Sequence, residues 1–288
     1  MKGIILAGGS GTRLHPLTSV VSKQLLPVYD KPLIYYPLST LISMGVDEIL
    51  LISNPNQIDL FKNLLGDGSQ FGVNIAYEVQ LKPKGIAEAL IIGEDFINGS
   101  NCALILGDNI FISENLSNYL SLEFTDGAHI FTTTVEDPQR YGVVRIEDNI
   151  PIEIVEKPDK FISNQAVTGL YLYDKDASYL CKSLKPSKRN ELEITELNQI
   201  YLKNNNLYCT SLGNSSIWMD AGTFDSLQDS SSYISSLQKR IGSLVGSPEY
   251  EALKNGYISM ANLSSMLEKS PTNSYYLALK KILETETN

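Results

Sequence analysis

Histidine and cysteine are scarce in this chain, and their scarcity narrows its chemistry. The 288 residues include only two histidines, His15 and His129, which argues against a histidine-rich metal centre and against a Ser-His-Asp triad. The three cysteines, Cys102, Cys181 and Cys209, stand far apart and have no spacing typical of a metal site or a disulfide framework. We therefore expect reduced, buried thiols.

Long apolar runs are also lacking. No run approaches the roughly 20 residues that a membrane-spanning helix needs. The apolar stretch within residues 1–7 is too short for a signal peptide and is followed at once by glycines, so we interpret it as a first strand. These features predict a cytoplasmic protein with no membrane partner.

Basic residues are fewer than acidic ones. The chain has 23 Lys and Arg and 33 Asp and Glu, so its formal net charge is −10. A nucleic-acid-binding surface is usually basic, so we expect no nucleic-acid partner. The first 32 residues reverse this balance and hold Lys2, Arg13, Lys23 and Lys31 against Asp30 alone. A cationic opening on an acidic chain favours a local site for a small anion, although a chance distribution gives the same count.

The order of apolar patterns predicts an α/β fold. Strand-like segments at 3–7, 48–53, 73–78 and 103–106 alternate with helix-like segments at 33–44, 58–65 and 86–96. This alternation is typical of βαβ units and a mostly parallel sheet with helices on both faces.

The later part of the chain has a different pattern. Strand-like runs dominate at 130–136, 141–147, 152–156 and 167–173, which predicts long strands and hairpins beside the core sheet. Helical patterns at 175–184 and 193–204 precede strand-like runs at 207–212 and 217–220. After Gly222 the chain is helix-like, including its serine-rich segment 226–236, and a separate helical tail is expected from about residue 245.

A glycine-rich segment directly follows the first predicted strand, with the sequence Leu-Ala-Gly-Gly-Ser-Gly-Thr-Arg-Leu at residues 6–14. Glycines there let backbone N–H groups approach phosphate oxygens. A Walker A loop is excluded because no Gly-Lys dipeptide occurs, and a dinucleotide fingerprint is excluded because Leu14 takes the place of its last glycine. The glycines alone fit a turn without ligand, but Arg13 and Lys23 beside them favour a polyphosphate site.

This segment, followed ten residues after Arg13 by Lys-Gln-Leu-Leu-Pro at 23–27, resembles the signature of the sugar nucleotidylyltransferases. Residues 28–41 resemble the glucose-1-phosphate thymidylyltransferases within that family. Further matching blocks follow in order, so that the resemblance covers about residues 1–240. They lie at 65–69, 106–111, 140–144, 156–158, 166–171, 191–195 and 218–223.

The resemblance implies a Rossmann-like nucleotidyltransferase fold, with a mixed, mostly parallel central sheet, an inserted β-rich sugar-binding part and C-terminal helices. The implied domain spans residues 1–240, with a nucleotide-binding half at about 1–110 and a sugar-binding part at about 111–222. Residues 241–288 then form a C-terminal helical tail. A homotetramer or another homo-oligomer is also implied.

The implied reaction transfers a nucleotidyl group from dTTP to α-D-glucose 1-phosphate and gives dTDP-glucose and pyrophosphate, with Mg²⁺ as cofactor. The sugar phosphate is already anionic, so direct displacement at the α-phosphorus needs no side-chain nucleophile. By resemblance, Arg13 stabilises the triphosphate and the leaving pyrophosphate, and Lys23 bridges the α-phosphate and the sugar phosphate. The expected Mg²⁺ ligands are Asp108 and Asp220.

The resemblance also implies the binding residues. Those for the nucleotide are Leu6, Gly8, Gly9, Gly11, Thr12, Arg13, Lys23, Gln24, Gln80, Gly85 and Asp108. Those for the sugar phosphate are Asn109, Tyr141, Gly142, Glu156, Lys157 and Val167. A glutamine such as Gln80 can both donate to and accept from a thymine or uracil edge.

Structural alternatives exist for the charged residues. Lys23 alone fits a solvated surface lysine, and Glu156 with Lys157 fits an exposed charge pair at a strand end. Asp108 fits a turn residue, and Asp220 fits the N-cap of the helix predicted from about residue 223.

Departures from the family pattern keep two functional alternatives open. Met219, Ala221 and Phe224 replace Leu, Thr and His, and Glu88 replaces a common Gln. Residues 112–115 read Ile-Ser-Glu-Asn, where many members have Tyr-Gly-x-Gly in a loop of a second, regulatory nucleotide site. The alternatives are the same chemistry with UTP or another sugar 1-phosphate, and a non-catalytic regulatory paralogue that binds a sugar nucleotide.

Overall fold

The protein is described here by a computed structural model that covers residues 1–9, 11–113, 124–213 and 215–286. The strands are β1 (Lys2–Ala7), β2 (Pro27–Val28), β3 (Lys31–Pro32), β4 (Glu48–Ser53), β5 (Asn74–Val79), β6 (Cys102–Leu106), β7 (Asn109–Ile112), β8 (Ala128–Thr134), β9 (Gly142–Glu147), β10 (Ile150–Glu156), β11 (Gln165–Tyr173), β12 (Leu207–Ser211) and β13 (Ile217–Asp220).

The α-helices of these residues are α1 (Tyr35–Ser43), α2 (Ile58–Leu65), α3 (Glu88–Ile92), α4 (Glu94–Ile97), α5 (Ala177–Cys181), α6 (Ile194–Lys203), α7 (Phe224–Ile241), α8 (Pro248–Lys254), α9 (Met260–Glu268) and α10 (Ser274–Glu286). None of them is long and apolar enough to cross a membrane.

The first half of the chain builds the parallel part of one large sheet. Strands β6, β1, β4 and β5 lie side by side in that order, and each adjacent pair is parallel. Ile4 of β1 is aligned with Leu50 of β4 and with Leu104 of β6. The carboxyl ends of these strands therefore meet at one edge, where open α/β sheets bind their ligands.

The middle of the chain extends the sheet with antiparallel strands. The long strand β11 pairs antiparallel with β6, β8 and β9, and β9 pairs antiparallel with β10. Strand β12 returns parallel to β8. The prediction of long strands beside the core sheet is confirmed, and β11 joins the two parts.

Alternate side chains of the parallel strands enter two hydrophobic clusters, as the two-residue period of a strand requires. Ile5 and Leu51 belong to the cluster that contains Leu38 of α1. Ile4 and Leu50 belong to the other cluster, with Leu197 of α6. Helices therefore cover both faces of the sheet, and the predicted α/β class is confirmed.

Several elements differ from the sequence prediction, and the short strands β2 and β3 have no counterpart in it. Strand β7 begins directly after the turn at Gly107 and Asp108, where no further strand was predicted, because its partner β13 lies more than a hundred residues later. The helix predicted at 86–96 is divided at Gly93. A side chain at Gly93 would start 2.8 Å from Ile4 Cδ1, so a glycine lets this helix approach β1.

The C-terminal helices pack on the core. The serine-rich segment lies within α7, which begins at a capping box formed by Thr223 and Ser226, so its prediction as a helix is confirmed. Each of the last three helices adds a side chain to the hydrophobic cluster that contains Leu38: Ala252 of α8, Leu263 of α9 and Leu279 of α10. The helices after residue 245 therefore cover α1 on one face of the sheet.

The cysteines are free thiols, as predicted. Cys102 and Cys181 are buried, and burial raises the pKa of each thiol to about 12. Cys209 is half-buried, and burial raises its pKa to about 11. All three are therefore protonated near neutral pH, which makes them poor nucleophiles and poor metal ligands.

Candidate active site

A cavity of about 560 Å³ lies where β6, β9, β10, β11 and β13 come together. The structure brings all the predicted sugar-phosphate residues and both predicted metal ligands to this cavity, together with one predicted catalytic residue. These lining residues are Arg13, Asp108, Asn109, Tyr141, Gly142, Glu156, Lys157, Val167 and Asp220.

Two carboxylates stand together at one end of the cavity. Asp108 occupies the turn after β6, and Asp220 is the last residue of β13, aligned with Asn109. The Ala221 N–H donates to the carbonyl oxygen of Asp108 at 3.1 Å. The N-cap of α7 is Thr223, so the interpretation of Asp220 as a helix cap is wrong.

The protonation of these carboxylates is set by burial and by their neighbours. Burial first, and then the negative charge of Asp108, raises the pKa of Asp220 to about 6. Burial also opposes ionisation of Asp108, but the ammonium of Lys23 holds the pKa of Asp108 below its usual value. A buried carboxylate, Asp108, and a half-buried one, Asp220, repel one another and form a site that a cation stabilises.

Lys23 is held against Asp108. Its ammonium forms a salt bridge with the Asp108 carboxylate, and its side chain is only 12% exposed. The interpretation of Lys23 as a solvated surface lysine is therefore wrong. The neighbouring Gln24 is buried, and its Oε1 accepts from Ser22 Oγ at 2.5 Å.

The glycine-rich segment places Arg13 beside Asp220. It leaves β1 at Gly8 and Gly9, and Gly11 has the left-handed conformation with φ 62° before the short turn of Thr12–Leu14. A side chain at Gly222 would start 3.0 Å from Arg13 Nη2 and 3.0 Å from Asp220 Oδ1. The Arg13 guanidinium and the Asp220 carboxylate therefore face the same point.

The rest of the predicted nucleotide group lies beside this cavity, at the ends of the parallel strands. The Gly107 N–H donates to the Leu6 carbonyl oxygen at 2.9 Å, which fixes the glycine-rich segment beside the Asp108 turn. Gln80 follows β5, and a side chain at Gly8 would start 2.3 Å from Gln80 Oε1. Gly85 has φ 106°, and its α-carbon faces Leu192 too closely for a side chain.

Asn109 links three strands at the floor of the cavity. Its Oδ1 accepts from Trp218 Nε1 at 2.6 Å and from the Gly169 N–H at 3.1 Å. Its Nδ2 donates to Asp108 Oδ1 at 3.2 Å. The buried Asn109 thus joins β7, β11 and β13 and orients Asp108.

Glu156 organises the opposite end of the cavity. Its Oε2 accepts from Thr195 Oγ1 at 2.7 Å, and its Oε1 accepts from Arg189 Nη2 at 3.2 Å. Lys157 Nζ lies 3.8 Å from Glu156 Oε1. Gly142 lies against this group, since a side chain there would start 3.2 Å from Glu156 Oε2. Glu156 and Lys157 therefore form part of a cavity wall.

Sequence reasoning assigned no role to several lining residues. Arg140 stacks its guanidinium 5.3 Å from the Tyr141 ring, and Tyr141 meets Trp218 edge to face at 5.2 Å. Arg189 and Thr195 contact Glu156 as described. Their positions in the sequence could have indicated a role for Arg140 and Arg189. Arg140 begins the matching block 140–144, and Arg189 lies two residues before the block 191–195.

The charges of the site suit two phosphate-bearing molecules and a hard cation. Lys23 contacts Asp108 and Arg13 lies beside Asp220, while Lys157 and Arg189 contact Glu156. In the described part of the chain, no group of three or more His, Cys, Asp or Glu could hold a metal. Mg²⁺ commonly takes one or two protein carboxylates and completes its shell with water and phosphate oxygens, so the Asp108–Asp220 pair fits Mg²⁺.

The family model described as "Nucleotidyl transferase" matches residues 2–236. The chain belongs to the nucleotidyl transferase family. One member, from Xanthomonas campestris pv. campestris (strain B100), is named glucose-1-phosphate thymidylyltransferase; it is 49% identical over 286 residues, 97% of each chain.

Solved structures show the same fold. A protein from Bacillus anthracis, whose crystal structure contains bound sucrose, is 43% identical in sequence and superposes with a TM-score of 0.76. The match covers 81% of this chain and 94% of that chain. The structure of a UDP-glucose pyrophosphorylase in complex with UDP-glucose is 26% identical in sequence and has a TM-score of 0.71. The match covers 82% of this chain and 98% of that chain.

Two departures from the family pattern, Met219 and Ala221, directly precede and follow Asp220 in the chain, and Ala221 donates its N–H to the Asp108 carbonyl oxygen. Phe224 is 46% exposed as the first residue of α7. Glu88 begins α3 and contacts Gln80. Of the altered segment 112–115, Glu114 and Asn115 lie outside the described residues.

Proposed function

We propose that this nucleotidyl transferase is a glucose-1-phosphate thymidylyltransferase, which makes dTDP-glucose and pyrophosphate from dTTP and α-D-glucose 1-phosphate. The observation that carries the proposal is the grouping of two carboxylates with two cations beside the cavity: Lys23 pairs with Asp108, and Arg13 lies beside Asp220. The name and 49% identity of the Xanthomonas relative support the choice of substrates.

The reaction is a direct displacement at the α-phosphorus of dTTP. An oxygen of the sugar phosphate forms the new P–O bond, and the bond between the α- and β-phosphates breaks, so that pyrophosphate leaves with the electron pair. The nucleophile already carries its charge. The protein therefore acts by positioning and by electrostatic stabilisation.

Arg13 and Lys23 supply positive charge on the two sides of the reacting phosphorus. Arg13 would bind the triphosphate and the departing pyrophosphate from the glycine-rich segment. Lys23 would exchange part of its contact with Asp108 for the α-phosphate and the sugar phosphate. Gly8, Gly9, Gly11, Thr12 and the Leu6 backbone would line the phosphates, with Gln24 close beside them.

Asp108 and Asp220 would hold Mg²⁺, which neutralises phosphate charge when bound. Asn109 keeps Asp108 oriented through its Nδ2, and Arg13 balances the second carboxylate. At the other end, Glu156 would accept from sugar hydroxyls, and Lys157 would meet the sugar phosphate. Tyr141, Gly142 and Val167 would bound the sugar.

The proposal assigns a nucleotide-binding half to about residues 1–110 and a sugar-binding part to about 111–222, with a helical tail at 241–288. Gln80 and Gly85 would bind the base. UTP is a second candidate nucleotide, because the fold matches a UDP-glucose pyrophosphorylase and a glutamine can bond either base. A homo-oligomer, in particular a homotetramer, stays a prediction that the molar mass in solution tests.

Pyrophosphate release tests the function. The assay holds glucose 1-phosphate and Mg²⁺ fixed and offers dTTP, UTP, ATP, CTP or GTP in turn. We expect the fastest release with dTTP and its loss in Asp108→Asn, while Asp59→Asn, on an exposed side chain of α2, keeps it. A dominant rate with UTP would replace the nucleotide. No release with any nucleotide, alongside tight binding of dTDP-glucose, would favour a regulatory paralogue.

A further inference from the structure

The segment between Arg13 and Lys23 is exposed over most of its length. Of residues 15–20, only Thr18 is half-buried, and the others are exposed. Burial therefore contributes little to fixing this segment, because few of its side chains pack against the core. Hydrogen bonds from the rest of the fold thus have a large share in placing Lys23.

Gln57 supplies two such bonds at the end of the segment. Its Oε1 accepts from the Ser22 N–H at 3.0 Å, and its Nε2 donates to the Val20 carbonyl oxygen at 3.4 Å. A backbone N–H and a backbone C=O require opposite ends of a carboxamide, so these two partners fix the orientation of Gln57. One side chain therefore takes up a donor and an acceptor of this stretch, as a neighbouring strand would.

Gln57 is itself anchored just beyond the carboxyl end of β4. The last residue of β4, Ser53, donates its Oγ to the Ala7 carbonyl oxygen at 3.1 Å, and the Gln57 N–H donates to the Asn54 carbonyl oxygen at 3.2 Å. Gln57 is the N-cap of α2, but its side chain makes no capping bond. The usual caps are shorter, namely Asn, Asp, Ser and Thr. The longer glutamine therefore serves a contact outside its own helix.

Ser22 passes this anchoring on to the turn that carries Lys23. It is only 6% exposed and stands directly before the short turn Lys23–Leu25 as its N-cap. Its carbonyl oxygen accepts from the Leu25 N–H at 2.9 Å. The Lys23 side chain then extends to the carboxylate of Asp108. A displacement of Ser22 therefore moves the origin of the Lys23 side chain relative to Asp108.

We propose that Gln57 is a positioning residue for catalysis, which fixes through Ser22 where Lys23 presents its ammonium to the reacting phosphates. This inference rests on the proposed function, because it takes Lys23 as a catalytic residue. A misplacement of about 1 Å in a catalytic group can cost on the order of 10²-fold in rate. The affinity for the substrates is shared among many other contacts, so it should change much less.

Initial rates of pyrophosphate release with dTTP, glucose 1-phosphate and Mg²⁺ measure this role. Gln57→Met keeps a side chain of similar length but loses both bonds, and we expect kcat to fall about tenfold or more with little change in KM. Gln57→Glu keeps an acceptor for the Ser22 N–H and should recover most of the loss. Gln228→Met, at an exposed glutamine of α7, is the matched control and should retain the parent kcat.

A double-mutant cycle shows whether Gln57 acts through Lys23. In a Lys23→Met background, adding Gln57→Met should lower kcat little further, as expected for residues that act together. An unchanged kcat in Gln57→Met, a change confined to KM, or the same fall in both backgrounds would overturn the proposal.

Hydrogen exchange tests the same contact without catalysis. In Gln57→Met, the amides of Leu25 and Leu26, which bond within the Lys23 turn, should exchange severalfold and up to about tenfold faster. In Gln228→Met they should exchange at the parent rate. Faster exchange at Ser22 alone, with Leu25 and Leu26 unchanged, would contradict the inference. Because exchange needs no turnover, it decides this inference even where no pyrophosphate is released, which is the result that would instead contradict the proposed function.

Discussion

Asp220 stands directly opposite Asn109 in the antiparallel pair of β7 and β13, and this alignment brings it beside Asp108. The two carboxylates come from distant parts of the chain and meet in a short ribbon outside the main sheet. Asn109 fixes the geometry, since it bonds Asp108, Trp218 and the Gly169 backbone. The ribbon thus brings two carboxylates together in the lining of the cavity.

This pairing predicts a Mg²⁺ phenotype for Asp220→Asn. An amide oxygen is a weaker ligand than a carboxylate, so we expect a higher Mg²⁺ concentration at half-maximal rate. At fixed Mg²⁺ the rate of pyrophosphate release should fall on the order of 10²-fold. A Mg²⁺ titration of the initial rate measures both effects. An unshifted titration would remove Asp220 from the metal site, and Asp59→Asn is the matched exposed control.

Lys23→Met should slow catalysis without preventing nucleotide binding. The methionine keeps most of the side-chain volume but removes the charge that pairs with Asp108. We expect kcat to fall on the order of 10²- to 10³-fold, because a fixed cation at the reacting phosphate is lost. Lys62→Met, on a side chain that is 49% exposed, should retain the parent kcat. A loss confined to KM would instead assign Lys23 to ground-state binding alone.

Local patterns predicted most of the fold. Strand β4 and helix α2 have the bounds that the sequence predicts, because a continuous apolar run and a regular amphipathic run each end at turn residues. Strand β7 was missed because four residues after a turn carry no period of their own. It forms only because it pairs with β13, and neither segment alone predicts the register between them.

The site was predicted unevenly for the same reason. Residues within a matching block, such as Asp108, could be assigned by resemblance, and the structure brings the expected sugar-phosphate group into one cavity. The contact between Glu88 and Gln80 could not be predicted, because it depends on how the segment after Gln80 is held against Leu192. Arg189 likewise reaches Glu156 only through the packing of the loop before α6.

Gly85→Ala tests the close approach of the loop around Gly85 to Leu192. A methyl group there would start 2.3 Å from the Leu192 carbonyl oxygen, at φ 106°. We expect the free energy of unfolding to fall by about 2–4 kcal/mol, from overpacking together with strain at positive φ. Gly99→Ala has φ 73° but no atom within 4 Å, so it should show the strain alone, about 1–2 kcal/mol. Equal losses in denaturant titrations would contradict the proposed close packing.

His129 predicts a loss of stability in mild acid. Its imidazole stacks on Phe131, with ring centres 5.0 Å apart, and its Nε2 lies 2.7 Å from Thr210 Oγ1. Burial lowers its pKa from 6.5 to about 4. Between these values the unfolded chain binds a proton that the folded protein does not. Above pH 6.5 the neutral His129 therefore costs the folded protein no stability. As the pH falls from 6.5 toward 4, the free energy of unfolding decreases.

His129→Gln removes this titration while keeping a polar group opposite Thr210. From the pKa difference, the parent protein should lose up to about 3 kcal/mol more than the variant between pH 6.5 and 4. Denaturant unfolding at several pH values measures the difference between the two curves. His15→Gln, at an exposed histidine, is the control for the substitution itself. Parallel curves for His129→Gln and the parent would show that folding does not lower the pKa of His129, against the partial burial of its ring.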